Sequence, residues 1–569
     1  MTETGAETGT ETGAETGAGA GAETETGAGA ETETGAAGAA GVPPRGRWRP
    51  AAGGWVLLAC VVVTFANFAV WSWATPLFAA PDEPTQVARA AAVVRGELVG
   101  ATVGSDRNAF TSVTVPAVFA HDGPLVTCFQ FRPDVPASCE PRVPASTRAV
   151  PVETYVGRYP PLYYLIVGLP SLVALNARGI YLMRLMSALL DAVLVSLALF
   201  AVVRWSAKPL LLVAVMAAAS PMAWFLGGVV NPSGFEIAAA LCLWTSGAIL
   251  VLEHAAAPPP GLVALVAGSL AVFLLARPLS PLWCAIVVAV LAAAAGWRRV
   301  RALFANRSVL WTIPPVAACG AVAMGWIVEE HSLDLTPSTA PVPHPETFSR
   351  LVPAIVAHTP LWLEEMVGVF GWLDTFSPML TYALWGAVVG ALVVFVWVRA
   401  VRGASEAREA VAVGLLVLAV VVLPVGIVYS QVHRLGIVWQ GRDIMPLAVG
   451  VPIAAAAAAG GDRALRRWNG RVTLWAAAAA CTALGAAGVA AFFEALRRYA
   501  VGVDGPIDFL SGTWHPPVGS AAALAAAFVS VAVLALGVCF GIARARSSNS
   551  GVPPGSLAPR APSRTQRVG

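Results

Sequence analysis

The sequence predicts an all-α integral membrane protein that crosses a bilayer about twelve times, and three observations lead to that class. The chain is 57% hydrophobic and only 12% charged, where a soluble domain carries roughly 25% charged residues. Apolar runs of the length needed to cross a hydrocarbon core of about 30 Å recur from residue 54 to residue 543. Arginines collect at the ends of these runs rather than within them. Helices are the expected spanning element, because backbone polar groups must find their partners within the segment when lipid surrounds it.

Residues 1–42 repeat Glu, Thr, Gly and Ala without an aromatic residue. Such a segment cannot bury enough apolar surface to offset the entropy of ordering, so it is predicted to be disordered. It also lacks the basic start and apolar core of a signal peptide. The tail 547–569 is similar in kind, which leaves 43–546 as a single membrane domain. The expected spans are 54–75, 180–203, 209–230, 234–253, 261–277, 280–296, 309–328, 379–399, 411–430, 444–460, 472–493 and 520–543. Segment 160–175 is short and proline-flanked, and reads as either a thirteenth span or a membrane-embedded half helix.

Orientation follows from the basic loops. With twelve spans, Arg45, Arg47 and Arg49, then Arg204 with Lys208, then Arg298, Arg299, Arg301 and Arg307 all fall on one side. So do Arg399, Arg402 and Arg408, then Arg463, Arg466, Arg467 and Arg471, and finally Arg544 and Arg546. A thirteenth span would break this pattern. Both termini are therefore expected in the cytoplasm, and loops 76–159, 329–378, 431–443 and 494–519 outside. Lys208 is the only lysine, and the abundance of Ala, Gly, Val, Pro and Arg suggests a GC-rich bacterial genome, hence the bacterial cytoplasmic membrane. Loops longer than about 15 residues are often functional, so any chemistry is expected on the outer face.

Six cysteines lie in apolar runs, as packing residues. Cys128 and Cys139 share one long outer loop, where a disulfide can persist; a bridge and two free thiols are both open from sequence. His121, His331, His344, His358, His433 and His515 are scattered without metal-ligand spacing, and no nucleotide- or nucleic-acid-binding pattern is present.

Ionisable groups at the outer face are the candidates for chemistry. Asp82 and Glu83 in PDEP, 81–84, are adjacent carboxylates that suit general-base or divalent-metal chemistry. Adjacent residues do not share a helix face, so one of the two is expected to point into a site. Arg158 and Tyr163 flank the junction of loop and segment 160–175 and can meet a lipid or sugar headgroup; an aromatic belt explains the tyrosine equally well. Arg184 and Asp191, seven apart in one span, share a face two turns from each other; Arg184 either binds a phosphate, or the two serve a structural interhelical ion pair or lie near the helix end. Glu236 follows the Asn231–Pro232 turn, where a helix N-terminus favours an acid anyway. Arg277 and Arg442 are further candidates for an anionic headgroup, with snorkelling as the alternative. Glu364, Glu365 and Asp374 belong to the second long loop, in which 360–373 reads as a short interfacial helix.

Five of these motifs occur in one order: PDEP at 81–84, YPPLYYL at 159–165, NPSG at 231–234, GWLDT at 371–375 and QGRD at 440–443. Together they resemble a family of bacterial multi-spanning proteins known as domain of unknown function 2142, over about 55–460. Two positions depart from its pattern: Thr85-Gln86 follows PDEP where a small residue and His are usual, and Asp443 stands where an aromatic is usual. That family in turn resembles the C superfamily of membrane glycosyltransferases (GT-C), which take sugars from polyprenyl-phosphate donors at the outer face. The resemblance implies Asp82 as base or metal-linked carboxylate, Glu83 as its neighbour, and Arg184, Arg277 and Arg442 as donor-phosphate ligands, with a glycan acceptor and a possible divalent metal ion. It rests on fold-level analogy. A transporter or flippase for a lipid-linked envelope precursor, and a non-catalytic part of an envelope assembly machine, are the competing readings.

Overall fold

The computed structural model describes residues 50–104, 110–120, 128–143, 145–334, 348–403, 407–459 and 470–550. The segment 1–42, the end of the C-terminal tail, His121, His344, Arg45, Arg47, Arg49, Arg463, Arg466 and Arg467 lie outside the described residues.

The first span forms α1, Pro50–Ala74, which stops where Thr75 meets Pro76; proline removes a donor and disfavours helix in the residue before it. The described residues of loop 76–159 form regular structure. The loop holds α2, Glu83–Val93, and an antiparallel sheet of β1, Ala101–Thr102, β2, Thr111–Pro116, and β3, Ala149–Thr154, in that spatial order. Thr111 pairs with Thr154, and both β2 and β3 pack beside α2.

Segment 160–175 folds as α3, Leu162–Val167, followed by a 3₁₀ turn at Leu169–Leu172. Six residues of helix rise only about 9 Å, well short of the bilayer core, so the segment is not a full crossing. Next come α4, Ala177–Trp205; α5, Leu210–Ala218; α6, Pro221–Gly227; and α7, Pro232–Glu253. α4 packs along both α1 and α7, and α7 is the most enclosed of the long helices. The third expected span is broken: α5 and α6 meet at 62°. Ser220 caps α6 and also donates to the Met366 carbonyl at 2.7 Å, while Trp385 donates to the Ala217 carbonyl at 2.9 Å. These partners serve polar groups at a break that lipid could not.

The chain continues through α8, Pro260–Leu274, and α9, Ser280–Ala295, and then turns by 112° into α10, Trp297–Phe304. Gly296, at φ +74°, makes that turn. A four-residue α11, Arg307–Leu310, leads into α12, Ile313–Glu329. The second long loop carries α13, Phe348–Val356, α14, Thr359–Gly368, and a hairpin of β4, Val369–Phe370, with β5, Thr375–Phe376. The last helices are α15, Met379–Val401; α16, Ala407–Leu435; α17, Met445–Ala448; α18, Gly450–Ala459; α19, Gly470–Val501; and α20, Ser520–Ser550.

Among the described residues, eight helices are long and apolar enough to cross a membrane, or up to ten if each bent pair is one span. The expected spans 261–277 and 444–460 correspond to shorter apolar helices, Pro260–Leu274 and Met445–Ala459. Length and apolarity therefore support a multi-pass helical membrane protein without establishing twelve as the count.

Candidate functional site

The site begins at the end of α1. A helix C-terminus leaves carbonyls without intrahelical partners, and here Ser72, Thr75 and Pro76 present theirs to Arg184 of α4. Nη1 donates to Ser72 O at 3.0 Å and Thr75 O at 2.6 Å, and Nη2 donates to Pro76 O at 2.7 Å. The same guanidinium grips Glu83 in a two-point ion pair, Nε to Oε1 and Nη2 to Oε2, both 2.6 Å. Glu83 Oε1 also accepts from the Val230 amide at 3.2 Å. Both side chains are fully buried.

The adjacent acid points elsewhere. Asp82 is in the left-handed region, at φ 63° and ψ −1°, and serves as the residue before α2. This conformation sends its carboxylate away from Glu83. Oδ2 meets Arg442 Nη2 and Oδ1 accepts from the Tyr155 hydroxyl. The turn is held independently from α7: Asn231, which caps that helix with its Oδ1, donates through Nδ2 to the Pro81 carbonyl at 3.0 Å. Burial above all, and then the Asp82 charge, push the Tyr155 phenol well above its usual pKa, so Tyr155 faces Asp82 as a donor.

Arg442 follows Gln440, whose amide donates to Asp443 Oδ2 at 3.3 Å across the 3₁₀ turn Gly441–Asp443. Glu365 of α14 accepts from the Gly441 amide, tying the second long loop to this turn. Asp443 Oδ1 meets Arg277 Nη2 at 3.3 Å and Nη1 at 3.4 Å. Arg277 Nη1 reaches Glu236 Oε2 at 3.1 Å, and Ser280 donates to Glu236 Oε1 at 2.6 Å. The Arg277 guanidinium also lies 6.0 Å from the Tyr159 ring centroid. Around this cluster the side chains of Asp82, Asp443 and Arg277 keep 22%, 19% and 15% of their exposure, whereas Glu236 keeps none. The accessible edge therefore carries two carboxylates and a guanidinium, with Arg442 just behind.

The structure thus gathers Asp82, Arg442, Arg277 and Glu236, and sets Glu83 with Arg184 directly behind them. It places the other expected site residues differently. Arg184 makes the interhelical ion pair that sequence left open, with Glu83 of α2, and the three carbonyls take its remaining donors, which leaves none for a phosphate. Glu83 is likewise enclosed. Asp191 lies two turns away, with both oxygens lacking a hydrogen-bond partner among the described residues, and it closes against Gly227 and Gly234, where a Cβ would sit 2.6 and 2.8 Å from Oδ2. Tyr163 is fully buried, with its hydroxyl on Ser187 at 2.8 Å, out of reach of a headgroup. Arg158 joins the first loop to the end of α12: its carbonyl accepts from Trp326 and Ser332. Asp374 belongs to a second cluster, where it meets Arg498 Nη2 at 3.1 Å. Arg498 also donates to the Phe129, Arg132 and Val135 carbonyls, inside the loop that the Cys128–Cys139 disulfide closes.

Two groups of the site were not among the sequence candidates. Tyr155 stands 73 residues from Asp82, and no local spacing links the two. Asp443 neighbours the candidate Arg442, and only the fold reveals its partner, Arg277. Among the described residues no group of three or more His, Cys, Asp or Glu side chains is placed to hold a metal ion. Both Asp82 oxygens already have protein partners. The residues present do not fit a divalent ion.

The family model described as "Predicted membrane protein (DUF2142)" matches residues 65–451. The chain belongs to the DUF2142 family. Within this DUF2142 protein, the family motifs PDEP, NPSG and QGRD meet at the cluster itself. YPPLYYL joins it through Tyr164, whose hydroxyl donates to Gln86 at 2.6 Å, and through the Tyr159 carbonyl, which accepts from Arg89 at 3.1 Å. GWLDT forms the β4–β5 turn, and the Phe370 just before it packs on Trp71 and Phe225 at centroid distances of 4.9 and 5.3 Å. No curated protein sequence matches the chain. Crystal structures of ArnT from Cupriavidus metallidurans, in the apo state and bound to undecaprenyl phosphate, each cover 88% of this chain and 77% of their own, at 15% identity and a TM-score of 0.41. Undecaprenyl phosphate is the ligand of that protein; the case for a ligand here rests on the residues of this chain.

Proposed function

We propose that this DUF2142 protein is a GT-C-type membrane glycosyltransferase that moves a sugar from a polyprenyl-phosphate donor to an envelope acceptor at the outer face of the bacterial cytoplasmic membrane. The observation that carries the reading is the meeting of Asp82 with Arg442, beside Arg277, at the accessible edge of a membrane domain. A base next to guanidinium groups is what transfer from a phosphate-linked donor requires, because one group takes a proton while the others receive an anion.

Asp82 accepts the proton of an acceptor hydroxyl as that oxygen attacks the anomeric carbon. The bond from this carbon to the phosphate oxygen breaks, and its electron pair leaves with the polyprenyl phosphate. Arg442 and Arg277 neutralise the leaving anion, as guanidinium matches phosphate geometry. Tyr155 orients Asp82. Glu83 and Arg184 position the turn from behind.

The test is a comparison of envelope glycans in wild-type, deletion and Asp82→Asn strains. Loss of a general base costs about a hundred- to ten-thousand-fold in rate, so the variant is expected to match the deletion while its membrane level stays normal. Wild-type glycans in Asp82→Asn would overturn the assignment. A transporter reading draws on the α5–α6 break and on buried Asp191, since broken helices and intramembrane acids recur in transport paths; lipid-precursor flux that survives Asp82→Asn and fails in Asp191→Asn would favour it.

A further inference from the structure

We propose that the contact between Asp82 and Arg442 is a latch opened by the substrate's own charge: a phosphate takes Arg442 and thereby frees the Asp82 carboxylate, which Tyr155 keeps in place. This inference rests on the transferase reading of the same site.

Two acid–arginine pairs stand side by side here and differ in kind. In the Glu83–Arg184 pair the guanidinium engages two carboxylate oxygens and three carbonyls, and nothing is exposed. A guanidinium offers five N–H donors, and that set is used up. Arg442 has one ion contact, from Nη2 to Asp82, and one long contact of 3.4 Å from Nη1 to the Pro81 carbonyl. Its Nε is buried with no hydrogen-bond partner. An arginine held in the protein yet used this sparsely is matched to a ligand richer in oxygens than a single carboxylate.

The Asp82 turn does not depend on the latch. Asn231 holds the Pro81 carbonyl, Arg184 holds Glu83, and Tyr155 holds the second Asp82 oxygen. Arg442 can therefore change partner without releasing the left-handed residue on which the site is built. Arg277 supplies a second anchor, since its contacts with Asp443, at 3.3 and 3.4 Å, are also long. In this structure, then, the base and the anion receptor occupy each other. Donor binding separates them, so donor must bind before acceptor is deprotonated.

The experiment measures binding of a polyprenyl monophosphate, against the uncharged polyprenol, to the detergent-solubilised full chain. Wild type is expected to retain the phosphate form and not the alcohol. Asp82→Asn, which removes the competing charge, is expected to bind it about tenfold more tightly or better, the size of one charged hydrogen bond, and Arg442→Gln is expected to lose it. Equal or weaker binding by Asp82→Asn, with wild type still binding, overturns the latch and leaves the transferase reading standing. No phosphate-dependent binding by either protein overturns both. A second measurement needs no variant: carbodiimide labelling of Asp82 in wild type is expected to rise when the polyprenyl monophosphate is added, and unchanged or reduced labelling overturns the latch.

Discussion

Arg184 and Glu83 lie 101 residues apart in sequence and close into a two-point ion pair, 2.6 Å at each contact, with neither side chain accessible. The pair fastens the start of α2 to α4, and the same guanidinium takes the carbonyls at the end of α1. It therefore joins the three elements that present Asp82.

Removing one member should be worse than removing both. Truncating one partner of a buried pair costs about 3–5 kcal/mol, because the other is left charged and unpaired. Arg184→Ala is expected to lower the thermal midpoint in detergent sharply, and Glu83→Met with Arg184→Met to recover much of the loss. Arg184→Lys should not substitute, since an ammonium cannot reproduce a fork that serves a carboxylate and three carbonyls. A Lys variant as stable as wild type would refute the brace.

Tyr155 should matter to activity and little to stability. Its hydroxyl holds Asp82 at one oxygen, and a hydrogen bond to a charged group contributes about 1.5–3 kcal/mol. Tyr155→Phe is expected to reduce transfer by about tenfold or more while the melting curve stays near that of wild type. An unchanged rate would remove Tyr155 from the site.

Glu365 sets a pH dependence. Burial, the largest cause, pushes its carboxyl up to about 7, with the Gly441 amide opposing and the Asp443 charge adding. An unfolded glutamate titrates near about 4.3, so the folded protein binds this proton more tightly than the unfolded chain does. The contribution is then fully present below the unfolded value and is lost as pH rises through about 7. Thermal unfolding between about pH 5 and 8 should show this fall in wild type and a flatter profile in Glu365→Gln. An equal slope in the two proteins would count against it.

Arg498 should control the loop closed by Cys128 and Cys139. Its guanidinium serves three carbonyls of that loop together with Asp374. Arg498→Leu is expected to expose 128–139 to limited proteolysis, and Asp374→Asn to do so more weakly. Loss of the disulfide, which closes a short loop, should destabilise by about 3 kcal/mol on chain-entropy grounds. A protease pattern identical to wild type in Arg498→Leu would show that the loop is held by other contacts.

The sequence alone determined the multi-pass helical class and the regions that bear the motifs, because the length and apolarity of a run are local properties and the bilayer sets the length required. It also marked Asp82, Arg277 and Arg442, since ionisable residues at the edge of apolar runs stand out from their surroundings. Helical periodicity put Arg184 on the face of Asp191, but periodicity sees only its own helix. The partner of Arg184, Glu83, arrives from a different element, and Asp191 lies against two glycines. Only the tertiary structure decided which acid meets which arginine, because an ion pair is chosen by whatever the packed neighbours bring within reach: Asp82 and Arg442 are separated by 360 residues. The same holds for Tyr155 and Arg498, ordinary loop and helix residues until folding sets carbonyls and carboxylates before them.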